Sequence, residues 1–416
     1  MWTRKAVFYV GFGTILVLFA PFINNLQLFL LGTTVLGFVA IHSLVNTRPI
    51  EVKITRDFDD DQVFENSGVS IDLVIQNKGR SIGFLEVYDN LPSEIEVTKG
   101  LNHTIIRLRK DELVVNKYSL ECRLRGQYRL GNPHLRIYNP SFLFYYEADV
   151  ESKSSLVVLP QIEQMEGVDL STDFPKIYQG ALPLRRIGTS GEFYGIREYF
   201  PGDDFKNINW RVFGRTRKLM VNQFEREDIS DVMIILDTRE ITGTGTVLRN
   251  PLNYSCRAVA SLVSFFLRTR NRVGLITYGE TVNVISPDTG ERHLYRILTA
   301  LAEVKPAGSL GLHTVLGDLR NFTPRSPVLV VSTLETDPTS TVALREITAR
   351  GFKLTLVAPD TLDYDRDSAI ISPTVYFTAS ASLDNKISEA RSLGARAMRW
   401  DPDTVLSASL AKVIRS

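Results

Sequence analysis

The chain opens with two long apolar stretches. Residues 6–23 form the first, Asn24-Asn25 interrupts the pattern, and residues 26–45 form the second, with no Asp, Glu, Lys or Arg between Ala6 and Thr47. In helical form these stretches reach roughly 27 and 30 Å, which matches the thickness of a bilayer's hydrocarbon core. The pattern predicts a hairpin of two transmembrane helices as the first domain, residues 1–48.

A cleaved signal peptide is the alternative, because Arg4-Lys5 before an apolar run is typical of one. We favour the hairpin, since a second full-length run follows and no small-x-small cleavage site separates the two. Arg4 and Lys5 precede the first run, and Arg48, Lys53 and Arg56 follow the second. Because cytoplasmic flanks are rich in Lys and Arg, we expect an integral protein of the cell membrane with two spans, its N-terminus and its soluble domains cytoplasmic.

The pattern changes to period two after the apolar region. Residues 69–75 and 84–88 alternate apolar and polar positions, and Asn77-Lys-Gly79 supplies turn residues between them. Short strands with regular turns predict an all-β, immunoglobulin-like sandwich over residues 49–162, with Tyr128 and Phe142 in its core rather than on a binding surface. Residues 163–190, interrupted by Gly and Pro, are interpreted as a linker.

Strands and helices alternate from residue 228 to residue 416. Predicted strands cover residues 232–236, 273–278, 328–331 and 354–357; predicted helices cover 253–268, 293–304, 314–321 and 341–350, with a closing helix from Asp403. Continuous apolar strands separated by helices are typical of a parallel sheet covered on both faces. The prediction is a doubly wound, Rossmann-like α/β domain, in which ligands sit at the carboxyl ends of the strands.

Composition narrows the function classes. The chain has 48 Lys+Arg and 47 Asp+Glu, a formal charge of +1, so charge gives no reason to expect nucleic acid as a partner. The two cysteines, Cys122 and Cys256, are 134 positions apart, which favours buried free thiols in a reducing compartment over a disulfide.

The segment of residues 191–227 carries the densest motif. Asp203 or Asp204 after Pro201-Gly202 can cap a helix, and Phe205, Ile208 and Val212 would form that helix's apolar stripe. The residues that stand out form what we call the signature set: Gly191, Glu192, Phe193, Arg197, Tyr199, Gly202, Asp203, Ile208, Trp210 and Arg215. We favour a structural or docking role for the set over catalysis. The basic residues Arg211, Arg215, Arg217 and Lys218 allow three interpretations: a solvated helix face, a surface that binds an acidic partner, or a surface that binds lipid head groups.

This set resembles the signature of the family called domain of unknown function 58. Two leading apolar helices and the turn Arg125-Gly-x-Tyr128-x-Leu-Gly131 are further marks of that family in this sequence. The resemblance implies a membrane-anchored protein that ends in a von Willebrand A-like domain. It also implies a protein partner, since relatives of the family commonly accompany MoxR-type AAA+ ATPases.

A von Willebrand A-like domain implies a magnesium site of the form Asp-x-Ser-x-Ser after the first strand. This sequence has Asp237-Thr-Arg239-Glu-Ile241 there, so a cation and an apolar side chain replace the two serines. Thr314 can fill the position of a later loop ligand, but no Asp follows the strand of residues 328–331 before Asp337. The expectation is a degenerate site with vestigial Asp237 and Thr314, no bound metal and no cofactor.

The sequence lacks a phosphate-binding loop and a Gly-x-Ser-x-Gly elbow. We therefore expect a non-enzymatic, membrane-anchored scaffold or adaptor that binds a protein partner, with no small-molecule substrate evident. The family resemblance implies an AAA+ ATPase as that partner, in the assembly or maturation of membrane or envelope complexes. An envelope-associated hydrolase with an unrecognised site remains the alternative.

Overall fold

A computed structural model describes residues 1–44, 51–165, 193–224, 231–322, 326–367 and 371–415. The chain divides into two compact units: Met1–Gln161 with Leu298–Val304, and Ile162–Ile297 with Lys305–Ser416. An N-terminal sheet-rich region is followed by an α/β region, so the multi-domain expectation is confirmed. Residues 166–190 of the predicted linker lie outside the described part of the chain.

The first unit begins with two antiparallel helices, α1 (Arg4–Phe19) and α2 (Leu26–Leu44). They approach closely at two glycines, since a Cβ on Gly32 would lie 2.8 Å from Val17 Cγ2 and 3.0 Å from the Gly13 carbonyl oxygen. Apolar side chains along both helices are exposed, among them Phe8, Phe12, Ile15, Leu30, Leu31 and Ile41. The helices are therefore packed on each other along a narrow seam, and most of their apolar surface faces outwards.

One of these helices is a candidate membrane span, where the sequence predicted two. Among the described residues, only α2 is long and apolar enough to cross a membrane, and a signal sequence near an N-terminus has the same features. The α1 helix has 16 residues and reaches about 24 Å, because it ends at Phe19, four residues before the end of its apolar run. Pro21 lacks a backbone donor and Asn24 adopts φ 53°, so residues 20–24 form a turn instead of continuing the helix.

Eleven strands follow between residues 52 and 159. They are β1 (Val52–Phe58), β2 (Gln62–Phe64), β3 (Ser67–Asn77), β4 (Ile82–Tyr88), β5 (Ile95–Lys99), β6 (His103–Leu108), β7 (Leu113–Cys122), β8 (Gly126–Leu130), β9 (His134–Tyr138), β10 (Tyr145–Asp149) and β11 (Ser154–Leu159). Their sheets have the orders β1-β3-β7-β5, β10-β9-β4-β6 and β2-β11-β8. The all-β character predicted for this region is confirmed, whereas its immunoglobulin-like class stays a prediction.

The period-two pattern of β3 forms the core of these sheets. Val69, Ile71, Leu73 and Ile75 are buried, and their polar neighbours along the strand lie on the other face. One hydrophobic cluster contains residues of all three sheets, and Tyr128 packs against it as expected. Phe142 is half-buried at φ 57° and its ring lies 4.4 Å from that of Phe84, outside this cluster.

A buried ion pair crosses this core. Arg56 and Asp89 have 0% exposed side chains and form a salt bridge, and the Tyr118 hydroxyl donates to the same carboxylate. Arg56 Nη1 also donates to the Ser152 carbonyl oxygen at 2.6 Å. Sequence reasoning had used Arg56 only as a cation that flanks the membrane, but this side chain joins β1, the end of β4 and the segment before β11.

Arg56→Ala should lower the free energy of unfolding of these sheets by about 3–5 kcal/mol, because it leaves the Asp89 carboxylate buried without its cation. Amide hydrogen exchange of β1, β3 and β7 in the detergent-solubilised full chain measures the loss. Lys117→Ala is the matched control, since Lys117 forms an exposed salt bridge with Asp72, and it should leave the exchange unchanged. Equal effects of the two substitutions would contradict the assigned role of Arg56.

The later part of the chain contains eight further strands and seven helices within its described residues. They are β12 (Phe193–Glu198), α3 (Trp210–Thr216), β13 (Met220–Phe224), β14 (Asp231–Asp237), α4 (Pro251–Arg268), β15 (Arg272–Tyr278), β16 (Val282–Asp288), α5 (Glu291–Glu303), β17 (Pro327–Val331), α6 (Ser340–Ala349), β18 (Lys353–Pro359), α7 (Leu362–Asp367), α8 (Pro373–Ser392), β19 (Arg396–Trp400) and α9 (Leu406–Arg415). Strands β12 and β13 pair antiparallel with each other, apart from the main sheet.

The main sheet has six strands in the order β16-β15-β14-β17-β18-β19. Five strands are parallel, and β16 runs antiparallel at one edge. The middle strand β14 is buried along its length, as expected of a sheet covered on both faces. Residues of α6 and α8 form one cluster with the sheet, and α4 contacts β14 and β15.

Several elements differ from those predicted. The segment 314–321 is not an α-helix but two 3₁₀ segments, Leu312–Leu316 and Asp318–Asn321, and the closing helix begins at Leu406 instead of Asp403. The strands β16 and β19 and the helices α7 and α8 were not predicted. The β16 strand is largely exposed at the sheet edge, and α8 buries only Leu383, Ile387 and Ala390 among its 20 residues, so neither has a strong apolar pattern.

Candidate functional site

The signature set lies mainly on the β12–β13 hairpin and on α3. Gly191 and Glu192 lie outside the described residues, and Phe193 begins β12. Arg197 lies on β12, the Tyr199 N–H donates to the Leu219 carbonyl oxygen at 2.9 Å, and the buried Ile208 bridges to Val221 of β13. Trp210 and Arg215 are exposed on α3.

A bidentate ion pair fixes the turn after β12. Gly202 adopts φ 112°, a conformation that favours glycine, and the chain reverses so that Asp203 faces Arg197. The two side chains join through Nη1–Oδ2 at 2.7 Å and Nη2–Oδ1 at 2.6 Å, and Asp203 also accepts from the Phe200 N–H at 2.9 Å. These hydrogen bonds lower the pKa of Asp203, and those that Arg197 donates have the largest effect.

The predicted helix that starts after Asp203 and Asp204 is wrong. Asp204 caps only a 3₁₀ segment, Phe205–Asn207, whose chain then extends so that Ile208 can bridge to β13. A new helix, α3, starts at Trp210 under a different cap, Asn209, whose side chain accepts from the Val212 N–H at 3.0 Å. Phe205, Ile208 and Val212 therefore do not form one stripe, because the backbone between them is not continuous helix.

Aromatic side chains of this hairpin are unusually exposed. Phe200, Phe205 and Trp210 are 65%, 68% and 61% exposed, and the Trp210 ring contacts the Phe213 ring edge-on at 6.0 Å. The acidic side chains here have internal partners: Asp203 pairs with Arg197, Asp204 accepts from the Lys206 N–H, and Glu198 lies 3.6 Å from Lys218. A docking role for the signature set stays a prediction.

The carboxyl edge of the main sheet contains a second buried ion pair. Asp237 ends β14, and Arg239, 3% exposed, folds back so that Nε lies 3.0 Å from Oδ1 and Nη2 lies 2.7 Å from Oδ2. Oδ1 also accepts from the Arg239 N–H at 3.1 Å, and Oδ2 from the Ser332 hydroxyl at 2.6 Å. Burial disfavours the guanidinium charge, but the hydrogen bonds that Arg239 donates to Asp237 hold the pKa of Arg239 above its usual value.

These residues do not fit the magnesium ion that the resemblance implies. Four hydrogen bonds occupy both oxygens of Asp237, and a guanidinium takes the place of the cation. Thr314, the other residue that the resemblance implies as a ligand, donates its hydroxyl to the Gly311 carbonyl oxygen at 2.8 Å. Across the described residues no group of three or more His, Cys, Asp or Glu side chains is placed to hold a metal.

A cavity of about 350 Å³ opens beside this pair. Its lining includes Arg239, Ile241, Ser309 and Thr336, together with Glu240, Thr244 and Gly308. The loop after β17 that contributes Thr336 has two non-glycine residues in the left-handed region, Leu334 at φ 55° and Thr336 at φ 51°. Such residues cost roughly 1–3 kcal/mol each and cluster at binding sites and switch regions. Burial raises the pKa of Glu335, which lies between them.

Sequence reasoning missed a second polar cluster at this edge. The Thr339 hydroxyl lies 2.6 Å from Asp337 Oδ1 and 3.0 Å from His313 Nδ1. Asp337 also accepts from the Leu312 N–H at 2.8 Å and from the Thr339 N–H at 2.9 Å. Burial alone would raise the pKa of Asp337, but these bonds lower it. Its position after β17 was a usable signal, because residues at the carboxyl ends of parallel strands converge.

Titration of the detergent-solubilised full chain with Mg²⁺ or Mn²⁺ should show no saturable binding at micromolar concentration, because Arg239 and Ser332 already fill the oxygens of Asp237. Isothermal titration calorimetry measures the binding of Mg²⁺. The electron spin resonance signal of free Mn²⁺ measures the binding of Mn²⁺. Micromolar binding that disappears in Asp237→Asn would contradict the assignment of Arg239 as the occupant of the site.

Comparisons with known proteins identify one family domain in this chain. The profile of the family described as "Protein of unknown function DUF58" matches residues 195–363. The uncharacterised protein YeaD of Bacillus subtilis is 21% identical over 64% of this chain and 66% of its own length. An uncharacterised protein of Mycobacterium tuberculosis is 26% identical over 41% of this chain and 55% of its own length, so the chain matches less than two thirds of either relative.

Solved structures add no functional argument. The CARDB domain of a Pyrococcus furiosus protein aligns with 27% of this chain and 96% of its own, at 13% identity and a TM-score of 0.20. That score is too low to support a shared fold. The comparisons therefore place a DUF58 family domain at residues 195–363, with relatives that are themselves uncharacterised.

Proposed function

We propose that this protein is a membrane-anchored, non-enzymatic scaffold whose α/β unit binds a protein partner at the carboxyl edge of its main sheet. The observation that carries the proposal is the cavity beside Arg239, at the edge where ligands of parallel sheets bind. The family resemblance makes a MoxR-type AAA+ ATPase the partner we propose, in the assembly or maturation of membrane or envelope complexes.

The geometry of this edge supports binding by a preformed surface. The ion pair of Asp237 and Arg239 ties the loop after β14 to the strand end, and Ser332 ties the same carboxylate to the loop after β17. The lining combines the apolar Ile241 with the hydroxyl groups of Ser309 and Thr336. A rigid rim with mixed apolar and polar contacts suits a protein side chain that enters from outside.

The alternative hydrolase receives less support from the same edge. A hydroxyl nucleophile needs a histidine that takes its proton and a carboxylate that orients that histidine. Here Thr339 lies between Asp337 and His313, so the carboxylate contacts the hydroxyl and not the ring. Ser332 likewise contacts Asp237 directly. These arrangements favour structural roles for both hydroxyl groups.

For the fold class of the α/β unit, we propose a von Willebrand A-like domain of the adhesion type that lacks its metal ion.

We further propose that α2 anchors the chain in the cell membrane with the soluble units in the cytoplasm. The helix has 19 residues and its lipid-facing candidates, such as Leu30 and Leu31, are exposed. Two cations, Arg48 and Lys53, follow it, and none lies in residues 20–25 before it. Cys122 and Cys256 are both buried and are not joined in a disulfide, which agrees with a reducing compartment.

Ser309→Trp should abolish co-purification of an AAA+ ATPase from detergent extracts, because an indole at this exposed rim position fills the mouth of the cavity. Val342→Trp is the control, since Val342 is 60% exposed on α6 and does not line the cavity. Immunoprecipitation followed by mass spectrometry measures the ATPase relative to the bait. Equal recovery with Ser309→Trp and with the wild-type chain would exclude this cavity as the docking site, and no ATPase with any bait would exclude that partner.

Leu31→Arg should release the chain from membranes or prevent its accumulation, because an arginine inside the apolar helix opposes insertion, by a free energy that reaches about 2.5–3.5 kcal/mol at the helix centre. Ser43→Arg, near the end of α2, is the matched control, because the guanidinium can reach the aqueous interface. Carbonate extraction of membranes followed by immunoblotting measures the retained fraction. Retention of Leu31→Arg at the level of Ser43→Arg would remove α2 as the anchor.

A further inference from the structure

The short helix α3 has two unlike faces. At 100° per residue, Val212 and Thr216 lie on one side, and Val212 is half-buried. The other side presents, in order around the axis, Phe213, Trp210, Gly214, Arg211 and Arg215, and the C-cap residue Arg217 follows the helix; all six are exposed. We call these six residues the α3 face. They combine two aromatic rings with three guanidinium groups, and the face covers a little over half of the helix circumference.

The charge on the α3 face is uncompensated within the described part of the chain. Arg211, Arg215 and Arg217 form no salt bridge with any residue that the structure describes. The nearby carboxylates of Asp203 and Glu198 pair with Arg197 and Lys218. The α3 face therefore presents three positive charges that no described carboxylate neutralises in a salt bridge.

The aromatic pair is held in position by the local fold. Asn209 caps α3 and donates its side-chain amide to Asn222 of β13 at 2.8 Å, and Ile208 bridges to Val221. Arg217 ends the helix at φ 54° with its N–H bonded to the Phe213 carbonyl oxygen at 2.9 Å. Trp210, although 61% exposed, thus projects from a backbone that is fixed at both ends. An exposed indole on a fixed helix loses little conformational entropy on binding.

We infer that the α3 face binds the surface of an anionic lipid bilayer, with Trp210 and Phe213 at the level of the head groups and the three arginines on the lipid phosphates. Trp and other aromatic residues are enriched at membrane interfaces, and each Lys or Arg near an anionic leaflet adds attraction. This inference does not rest on the proposed protein docking at the main sheet, which uses different residues.

A lipid surface fits these observations better than an acidic protein does. The face is a convex helix surface only seven residues long, which gives a partner helix or strand little length to pack against. A bilayer needs no shape complementarity, and it supplies apolar and anionic groups side by side. The same chain also contains α2, a helix apolar enough to cross a bilayer.

The test uses the full chain in lipid nanodiscs with a fluorescent reporter on the α3 face. Gly214→Cys provides the attachment point, because a side chain there meets no atom within 4 Å, and the native thiols of Cys122 and Cys256 are buried. An environment-sensitive dye on this cysteine is compared in discs of phosphatidylcholine alone and in discs that contain about 30% phosphatidylglycerol. We expect a blue shift in the anionic discs, and its reversal at about 0.5 M NaCl.

Three sets of variants separate charge, aromatic contact and general effects. Replacement of Arg211, Arg215 and Arg217 by Gln should lower the bound-to-free ratio roughly a hundredfold, at about fivefold per arginine, whereas replacement by Lys should retain the shift. Trp210→Ala should lower the ratio roughly tenfold. The charge-matched control replaces three other exposed arginines, Arg292, Arg320 and Arg345, by Gln, and it should keep the shift.

The outcomes that overturn the inference are distinct. A dye spectrum that is the same in both kinds of disc, or a shift that survives the Gln substitutions at Arg211, Arg215 and Arg217, contradicts binding of the α3 face to anionic lipid. A shift on addition of poly-glutamate to the detergent-solubilised chain, without one in anionic discs, assigns the face to an acidic protein instead. Failure of the protein docking proposed above would leave the result of this experiment unchanged.

Discussion

Each unit of this protein depends on the same constraint: a carboxylate removed from water must be saturated by a guanidinium and by further donors. Asp89 meets Arg56 and the Tyr118 hydroxyl inside the β-rich unit. Asp237 meets Arg239 and the Ser332 hydroxyl at the edge of the main sheet. Removal of either cation would leave a buried charge without compensation, a far larger cost than the loss of a surface salt bridge. These two pairs fix the geometry on which the rest of their units is built.

The two buried pairs act on segments that hydrophobic packing alone does not position. Arg56 connects a strand with two loop segments through side-chain and carbonyl contacts. Arg239 holds the loop after β14 at the end of its own strand, and through Asp237 and Ser332 it is coupled to the loop after β17. The third pair, Arg197 and Asp203, is half-buried and closes the turn between β12 and the 3₁₀ segment. In every case a bidentate guanidinium converts a flexible connection into a defined one.

The exposed apolar residues of the chain fall into two classes with different surroundings. On α1 and α2, apolar side chains cover nearly the whole helix surface outside the seam at Gly13 and Gly32, and charges are confined to the first turn of α1. On α3, aromatic and cationic side chains alternate around one face. The first pattern suits the hydrocarbon interior, and the second suits the boundary between head groups and water. The proposed anchor and the inferred lipid contact therefore differ in the bilayer depth that their side chains suit.

Much of the architecture could be read from local patterns. Period-two alternation identified strands such as β3, and continuous apolar runs identified β14, β15, β17 and β18, because burial on one face or on both faces leaves a direct trace in the sequence. Two of the elements that escaped prediction, β16 and α8, have weak apolar patterns: one is an exposed edge strand and the other buries few side chains. The length of α1 was overestimated because the run of apolar residues continues past Phe19, whereas the helix ends there.

The sequence by itself determined the order of the units, the apolar character of the N-terminus and the position of Arg239 two residues after Asp237. Only the tertiary structure decided what these two side chains contact. It brought Ser332, 95 residues away, onto the same carboxylate, and it placed Thr339 between Asp337 and His313. It also broke the predicted helix after Asp204 so that Ile208 could join β13. Such contacts depend on strand order and on backbone direction between distant segments, and a local pattern of hydrophobicity contains neither.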